Sequence, residues 1–78
     1  MRSREFWLER STAHIYAVEL TDGIVTGLCG PLPPHDADPA FAATYAYAAA
    51  GAAELEQRRA DFDLLTERDL VLLAKAAD

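Results

Sequence analysis

The sequence is short of the residues that stabilise many small domains by covalent or metal cross-links. It has one cysteine, Cys29, and two histidines among 78 residues, so no disulfide can form within the chain. Domains of this size bury a modest fraction of their surface and often gain stability from disulfides, metals or self-association. We therefore expect one domain over residues 1–78 that forms a homodimer, with no cofactor and no bound metal.

Long apolar runs are also missing. No apolar segment approaches the roughly 20 residues that are needed to span a bilayer. The run that follows the charged N-terminal residues 1–5 is too short and too mixed for a signal peptide. A single free thiol suits a reducing compartment. These features predict a cytoplasmic protein that has no membrane partner.

Positive charge is scarce. The chain has seven Lys and Arg against 13 Asp and Glu, a formal net charge of −6, and no basic stripe stands out. Because nucleic-acid-binding proteins gain affinity by neutralising phosphates, this balance argues against direct contact with nucleic acid and favours a basic protein surface as partner. Arg far outnumbers Lys, Ala is abundant and Asn is absent, which is the usage of GC-rich codons and predicts a bacterial source.

Two β-rich runs meet at Asp22-Gly23, a dipeptide that tolerates the positive φ of a tight hairpin turn. Together with an alternating strand at Glu5–Arg10, they predict a three-stranded antiparallel meander over about residues 5–29. A two-residue loop places Tyr16 opposite Cys29. A three-residue loop would shift the pairing by one residue and exchange the two faces, and the sequence leaves both registers open.

The second half of the chain has helical signals. Prolines predict that the sheet ends at about residue 29 and that a loop covers residues 30–38. Asp38-Pro39 favours a helix start, and apolar residues at steps of four and three predict a helix over about 39–60. Thr66 and Asp69 form a capping-box pattern before a helix at 67–77. The predicted fold is α+β, with two or three helices packed on one face of the meander.

No complete catalytic, metal or nucleotide motif accompanies these elements. Cys29 and His14 come nearest to a nucleophile and base, because the two-residue register places them on one face. No carboxylate is positioned to orient them, and a buried strand cysteine more commonly packs than reacts. A small enzyme or ligand-binding protein that uses Cys29, His14 and Tyr16 is therefore the alternative interpretation.

Several side chains outside the predicted core form candidate contact surfaces. We expect Trp7 at a boundary or interface, and Tyr47 about 160° around the predicted helix from the buried Tyr45. Small residues around Gly51 would permit close approach of another helix. Acidic side chains are predicted to gather at the corner between the two helices and to receive a basic partner. These acidic residues are Glu54, Asp61, Asp63, Glu67 and Asp69.

The sequence thus favours a small acidic interaction module over an enzyme. A regulator, an inhibitor, an immunity-type protein or an accessory subunit would each act by covering a partner's surface. We expect self-association through Trp7, Tyr47 and the small residues around Gly51, because the chain has few other means of supporting a small core. The partner itself is not identified by any residue pattern.

Overall fold

The computed structural model describes residues 1–77 and shows an α+β fold. Its centre is a four-stranded antiparallel sheet with the strand order β3-β2-β1-β4. The strands are β1 (Arg2–Glu9), β2 (His14–Thr21), β3 (Ile24–Leu32) and β4 (Phe62–Leu65). The helices are α1 (Ala52–Gln57) and α2 (Glu67–Ala77), and short 3-10 segments lie at Pro34–Asp36, Pro39–Thr44 and Arg59–Asp61.

The hairpin turn has the two-residue geometry. Thr21 pairs with Ile24 and Leu20 with Val25, and both Asp22 and Gly23 have positive φ. A bulge between Glu19 and Leu20 then shifts the register by one residue. The two-residue loop is therefore right at the turn, but the pairing that the sequence predicted beyond it, including Tyr16 opposite Cys29, is wrong.

Strand β3 continues past the point where its prolines predicted an end. Leu32 pairs with Ile15, and the strand includes the cis Gly30-Pro31 bond. A proline removes a ladder donor, but β3 is an edge strand and needs ladder donors on one side only. The predicted loop at 30–38 consequently shortens by three residues at its start.

The single helix predicted over 39–60 is wrong. Its first part is the 3-10 segment Pro39–Thr44, which Asp38 caps as predicted by accepting from the amide of Ala40 at 2.9 Å. The chain is extended at Tyr45, and Ala48 exchanges two backbone hydrogen bonds with Leu28 on the β3 edge. Only α1, six residues long, is α-helical in this range.

Tertiary contacts explain why this alanine-rich segment does not stay helical. Helix propensity contributes at most several tenths of a kcal/mol per residue, roughly 0 to 0.7 for ordinary residues. The backbone bonds of Ala48 to β3, together with the left-handed conformation of Gly51 (φ 84°), replace the intrahelical bonds that a continuous helix would form. Ring packing of Tyr45 on Phe6, with centroids 6.1 Å apart, holds the extended part against the sheet.

Strand β4 was absent from the sequence-based prediction. It pairs antiparallel with β1, so that Phe62 faces Glu9 and Leu65 faces Phe6. The sequence here suggested only a break between helices, because a four-residue run is too short for its period to be recognised. Helix α2 follows directly, and its predicted capping box is confirmed by bonds from the Asp69 amide to Thr66 and from the Thr66 amide to Asp69.

The sheet has a hydrophobic cluster on each face, which corrects the prediction that helices cover one face. We call the first the α1 face and the second the α2 face. The chain passes the β3 edge at Ala48 before α1 packs on the first face, and α2 follows β4 at the opposite edge of the sheet to pack on the second. Buried residues of the α1 face are Trp7, Val18, Leu20, Val25, Ala52 and Leu55; those of the α2 face are Phe6, Ile15, Ala17, Ala37 and Leu70.

Candidate functional site

The structure separates the two residues that the sequence suggested as nucleophile and base. After the bulge, Cys29 pairs with Ala17 and packs, half-buried, in the α2-face cluster. The ring of His14 lies beside that of Tyr16, with centroids 6.5 Å apart, and Tyr16 packs against the α1-face cluster. Cys29 is thus on the opposite face of the sheet from the Tyr16 ring, and the pair does not form a site.

His14 and Tyr16 lie instead near a buried carboxylate, Glu9. Its oxygens accept hydrogen bonds from the Thr12 hydroxyl and from the Arg58 guanidinium, each at 2.6 Å. These bonds, from Thr12 first and then Arg58, hold the pKa of the Glu9 carboxyl below its usual value. Burial raises the pKa of the Tyr16 hydroxyl. The group therefore holds an ionised, fully bonded carboxylate and a neutral phenol, which suits a structural ion pair better than acid-base chemistry.

Trp7 is buried rather than placed at an interface, with 5% of its surface exposed. Its indole donates to Glu5 at 3.0 Å, and the Arg59 guanidinium lies 5.2 Å from the ring centroid. Tyr47 is half-buried and is not on a helix; its hydroxyl donates to the Ala42 carbonyl at 2.6 Å. Burial raises the pKa of this hydroxyl. Of the contacts predicted for self-association, Gly51 and the adjacent Ala49 and Ala50 remain at the surface, whereas Ala52 is buried.

The acidic residues do not form one patch. Asp61 pairs with Arg58 at 3.3 Å and Asp63 with Arg10 at 2.8 Å, so neighbouring arginines neutralise both. Glu54 lies on α1 and Glu67 on α2, and the two helices pack on opposite faces of the sheet. Asp61 lines a concave surface with Arg10 and Ser11, whereas Glu67 lines a separate one beside α2.

That surface is a groove of about 410 Å³ between α2 and the segment Pro34–Pro39, and we call it the α2 groove. Its floor includes Ala37 and Leu70, which are core residues of the α2 face. Val71 borders it with 54% of its surface exposed. The lining residues are Pro34, His35, Ala37, Asp38, Pro39, Glu67, Arg68, Leu70, Val71 and Ala74.

Local hydrogen bonds fix both walls of the groove. On one wall, the Tyr45 hydroxyl accepts from the Asp38 amide at 3.1 Å and donates to the Asp36 carbonyl. On the other, the Thr66–Asp69 capping box sets the start of α2, whose Leu70 packs in the core. The groove is therefore a feature of the folded chain and does not need a ligand to form it.

The sequence contains a signal for this surface, although the motifs did not reveal it. Leu70, Val71, Leu72 and Leu73 are four consecutive apolar residues. Successive residues on a helix are about 100° apart, so one buried face cannot hold all four. Leu70 and Leu73 pack against the sheet, while Val71 and Leu72 stay exposed. The run therefore indicates a helix with a second apolar surface.

No protein-family model, curated protein or solved structure matches this chain. Among residues 1–77, no three His, Cys, Asp or Glu side chains are grouped so as to hold a metal ion. The helices in the same range are too short or too polar to cross a bilayer.

Proposed function

We propose that the chain is a small acidic protein-interaction module that binds a partner through the α2 groove. The observation that carries this proposal is the exposed Val71 beside a concave surface whose floor is formed by core residues. A large apolar side chain left exposed next to a groove is typical of a binding surface, and isolated surface apolar residues are not. The groove has a volume of about 410 Å³. Ligand pockets in proteins usually have volumes of about 300–1,000 Å³.

The fixed walls support the same function. A partner that docks against a preorganised groove loses little free energy to ordering of the groove itself. The Tyr45 bonds hold Asp36 and Asp38, and α2 is anchored by Leu70. The backbone of both groove walls is therefore held in place before a partner binds.

Substitution of Val71 tests the proposal. Tagged full-length chain should recover a partner from the producing cells, and Val71→Gln should weaken that binding by at least about tenfold, because the apolar contact is lost. Ile24→Gln is the matched control, since Ile24 is equally exposed but lies at the hairpin turn. Circular dichroism should show that both variants are folded. If Val71→Gln binds every recovered protein as well as Ile24→Gln does, the groove is not the binding surface.

Self-association stays a prediction, with a changed set of contacts. Trp7 is buried and Tyr47 half-buried, so the exposed alanines beside Gly51 are the remaining contact surface. Light scattering at micromolar concentration should give twice the chain mass of 8.5 kDa. Ala50→Arg should give the monomer mass because it places charge in the contact, whereas Ala43→Arg, at an exposed position in Pro39–Thr44, should not. A wild-type mass of 8.5 kDa throughout would contradict the dimer.

A further inference from the structure

The arginines of this chain are mostly engaged away from the α2 groove. Arg58 pairs with Glu9 and Asp61, and Arg59 pairs with Glu56. Arg4 of β1 pairs with Glu19 of β2, and Arg10, directly after β1, pairs with Asp63 of β4. Four of the seven basic side chains are therefore neutralised by carboxylates away from the groove. The excess negative charge of the chain lies on other parts of its surface.

Three carboxylates without an ion pair lie at or beside the groove. Asp38 and Glu67 line it, Asp36 adjoins it, and none of the three forms an ion pair among the residues that the structure describes. Arg68 is the arginine of the lining, and His35 also borders it. Lys75, the other cation of α2, is not part of the lining. The groove therefore combines an apolar floor with a net negative rim.

The N-terminus of α2 does not make the groove attractive to anions. A helix N-terminus attracts anions through its free amides and its dipole. In this helix the Asp69 amide is already bonded to Thr66, and both Glu67 and Asp69 place carboxylates in the first turn. Additional negative charge would be repelled, so a phosphate or an acidic peptide is a poor match for this surface.

We propose that the α2 groove binds a protein segment in which a large apolar side chain stands next to a lysine or arginine. This inference rests on the proposed function and specifies the chemistry of the partner. The apolar side chain packs on Ala37, Leu70 and Val71. The neighbouring cation interacts with Glu67 and Asp38, whose side chains form no ion pair among the described residues.

A second copy of the chain fits the groove less well than such a segment. Each copy has a formal charge of −6, so a second copy would bring further negative charge to the negative rim of the groove. Four of the six arginines are already paired within the chain. The occupant that the charges favour is a different, basic protein.

Selection from random peptides displayed on phage tests the partner chemistry directly. Immobilised full-length chain should enrich peptides that carry Lys or Arg next to Leu, Phe or Met. Fluorescence anisotropy of the enriched peptides should show at least about tenfold weaker binding to Glu67→Lys, and the affinity for wild type should fall as salt rises to about 0.15 M. Glu54→Lys changes the net charge equally on the other face and should leave the affinity unchanged.

The other outcomes separate this inference from the proposed function. Enrichment of neutral or acidic peptides that still require Val71 would overturn the basic partner and leave the groove as the binding surface. If no enriched peptide is sensitive to Val71→Gln, the proposed function fails as well. A wild-type dimer that Val71→Gln converts to monomer would show a second copy in the groove and overturn the inference.

Discussion

Glu9 is the one charged residue that is buried among those the structure describes, with 8% of its surface exposed. It remains ionised because Thr12 and Arg58 both donate to it. The bond to Arg58 also connects β1 to the turn that follows α1, which places the end of the helix over the sheet. A single carboxylate thus joins two parts of the chain that are far apart in sequence.

Replacing Glu9 should change how stability depends on pH. The folded state lowers the pKa of this carboxyl below 4.5, the ordinary value that it has when the chain is unfolded. Its contribution is therefore present above that pH and is lost as the pH falls through the lower, folded-state pKa. We expect Glu9→Gln to be less stable than wild type at pH 7, and the difference to shrink towards pH 3. Urea unfolding at pH 7 and pH 3, monitored by Trp7 fluorescence, measures the stability difference at each pH.

Glu54→Gln is the control for this experiment, because Glu54 is exposed and forms no ion pair among the described residues. Glu56 and Asp69 also have lowered pKa values, the first mainly through the Val25 amide and the second through the Thr66 amide. Protonation of these two carboxyls should therefore still destabilise the Glu9→Gln variant as the pH falls. A gap between wild type and Glu9→Gln that is the same at pH 7 and pH 3 would contradict the role assigned to Glu9.

At the scale of elements, the β3 edge decides where the alanine-rich segment lies. Gly27 makes this docking possible because it lacks a Cβ atom: one added there would lie 3.1 Å from the Cβ of Tyr47 and 3.5 Å from the Ala48 carbonyl oxygen. The close approach lets Leu28 and Ala48 exchange hydrogen bonds of 3.0 and 2.9 Å. One small residue on a strand thereby directs the path of the segment that precedes α1.

Gly27→Ala should push Tyr47 and Ala48 away from β3. We expect a loss of about 1–3 kcal/mol in unfolding free energy, as for other substitutions that overpack a buried site. Amide hydrogen exchange locates the effect: the Ala48 amide should exchange faster, while the amides between β1 and β2 keep their relative protection. Unchanged protection at Ala48 would show that the edge accommodates the methyl group without moving.

At the scale of the whole molecule, one sheet separates two hydrophobic clusters. Trp7 and Leu55 lie on the α1 face, and Phe6 and Leu70 on the α2 face. Adjacent residues of β1, Phe6 and Trp7, point to opposite clusters, so loss of the sheet disrupts both. This arrangement predicts one cooperative transition instead of two.

A core substitution on the α2 face should therefore be detected on the other face. Leu70→Ala is expected to cost about 2–5 kcal/mol, and the transition monitored by Trp7 should shift as much as the one monitored by far-ultraviolet circular dichroism. Leu72→Ala is the matched control on the same helix, since Leu72 is exposed. If the helical signal is lost at lower urea than the Trp7 signal, α2 unfolds separately and the prediction is wrong.

The sequence predicted the parts of this fold that depend on near neighbours. The Asp22-Gly23 turn, the cap at Asp38 and the Thr66–Asp69 capping box each involve residues within three positions of one another. The helix over 39–60 failed because its competitor was a strand about 20 residues away, where Leu28 bonds Ala48. The Cys29–His14 site failed because one bulge reversed the face of Cys29.

By itself, the sequence determined the α+β class, the turn of the hairpin, the start of α2 and the excess of negative charge. These follow from backbone preferences, from hydrogen bonds within a few residues and from composition. Tertiary structure alone decided that both faces of the sheet are covered, that Phe62–Leu65 pairs with β1, and that Asp38 and Glu67 meet at one groove. Those features arise when segments distant in sequence compete for the same strand edges and apolar surface, and no local pattern records that competition.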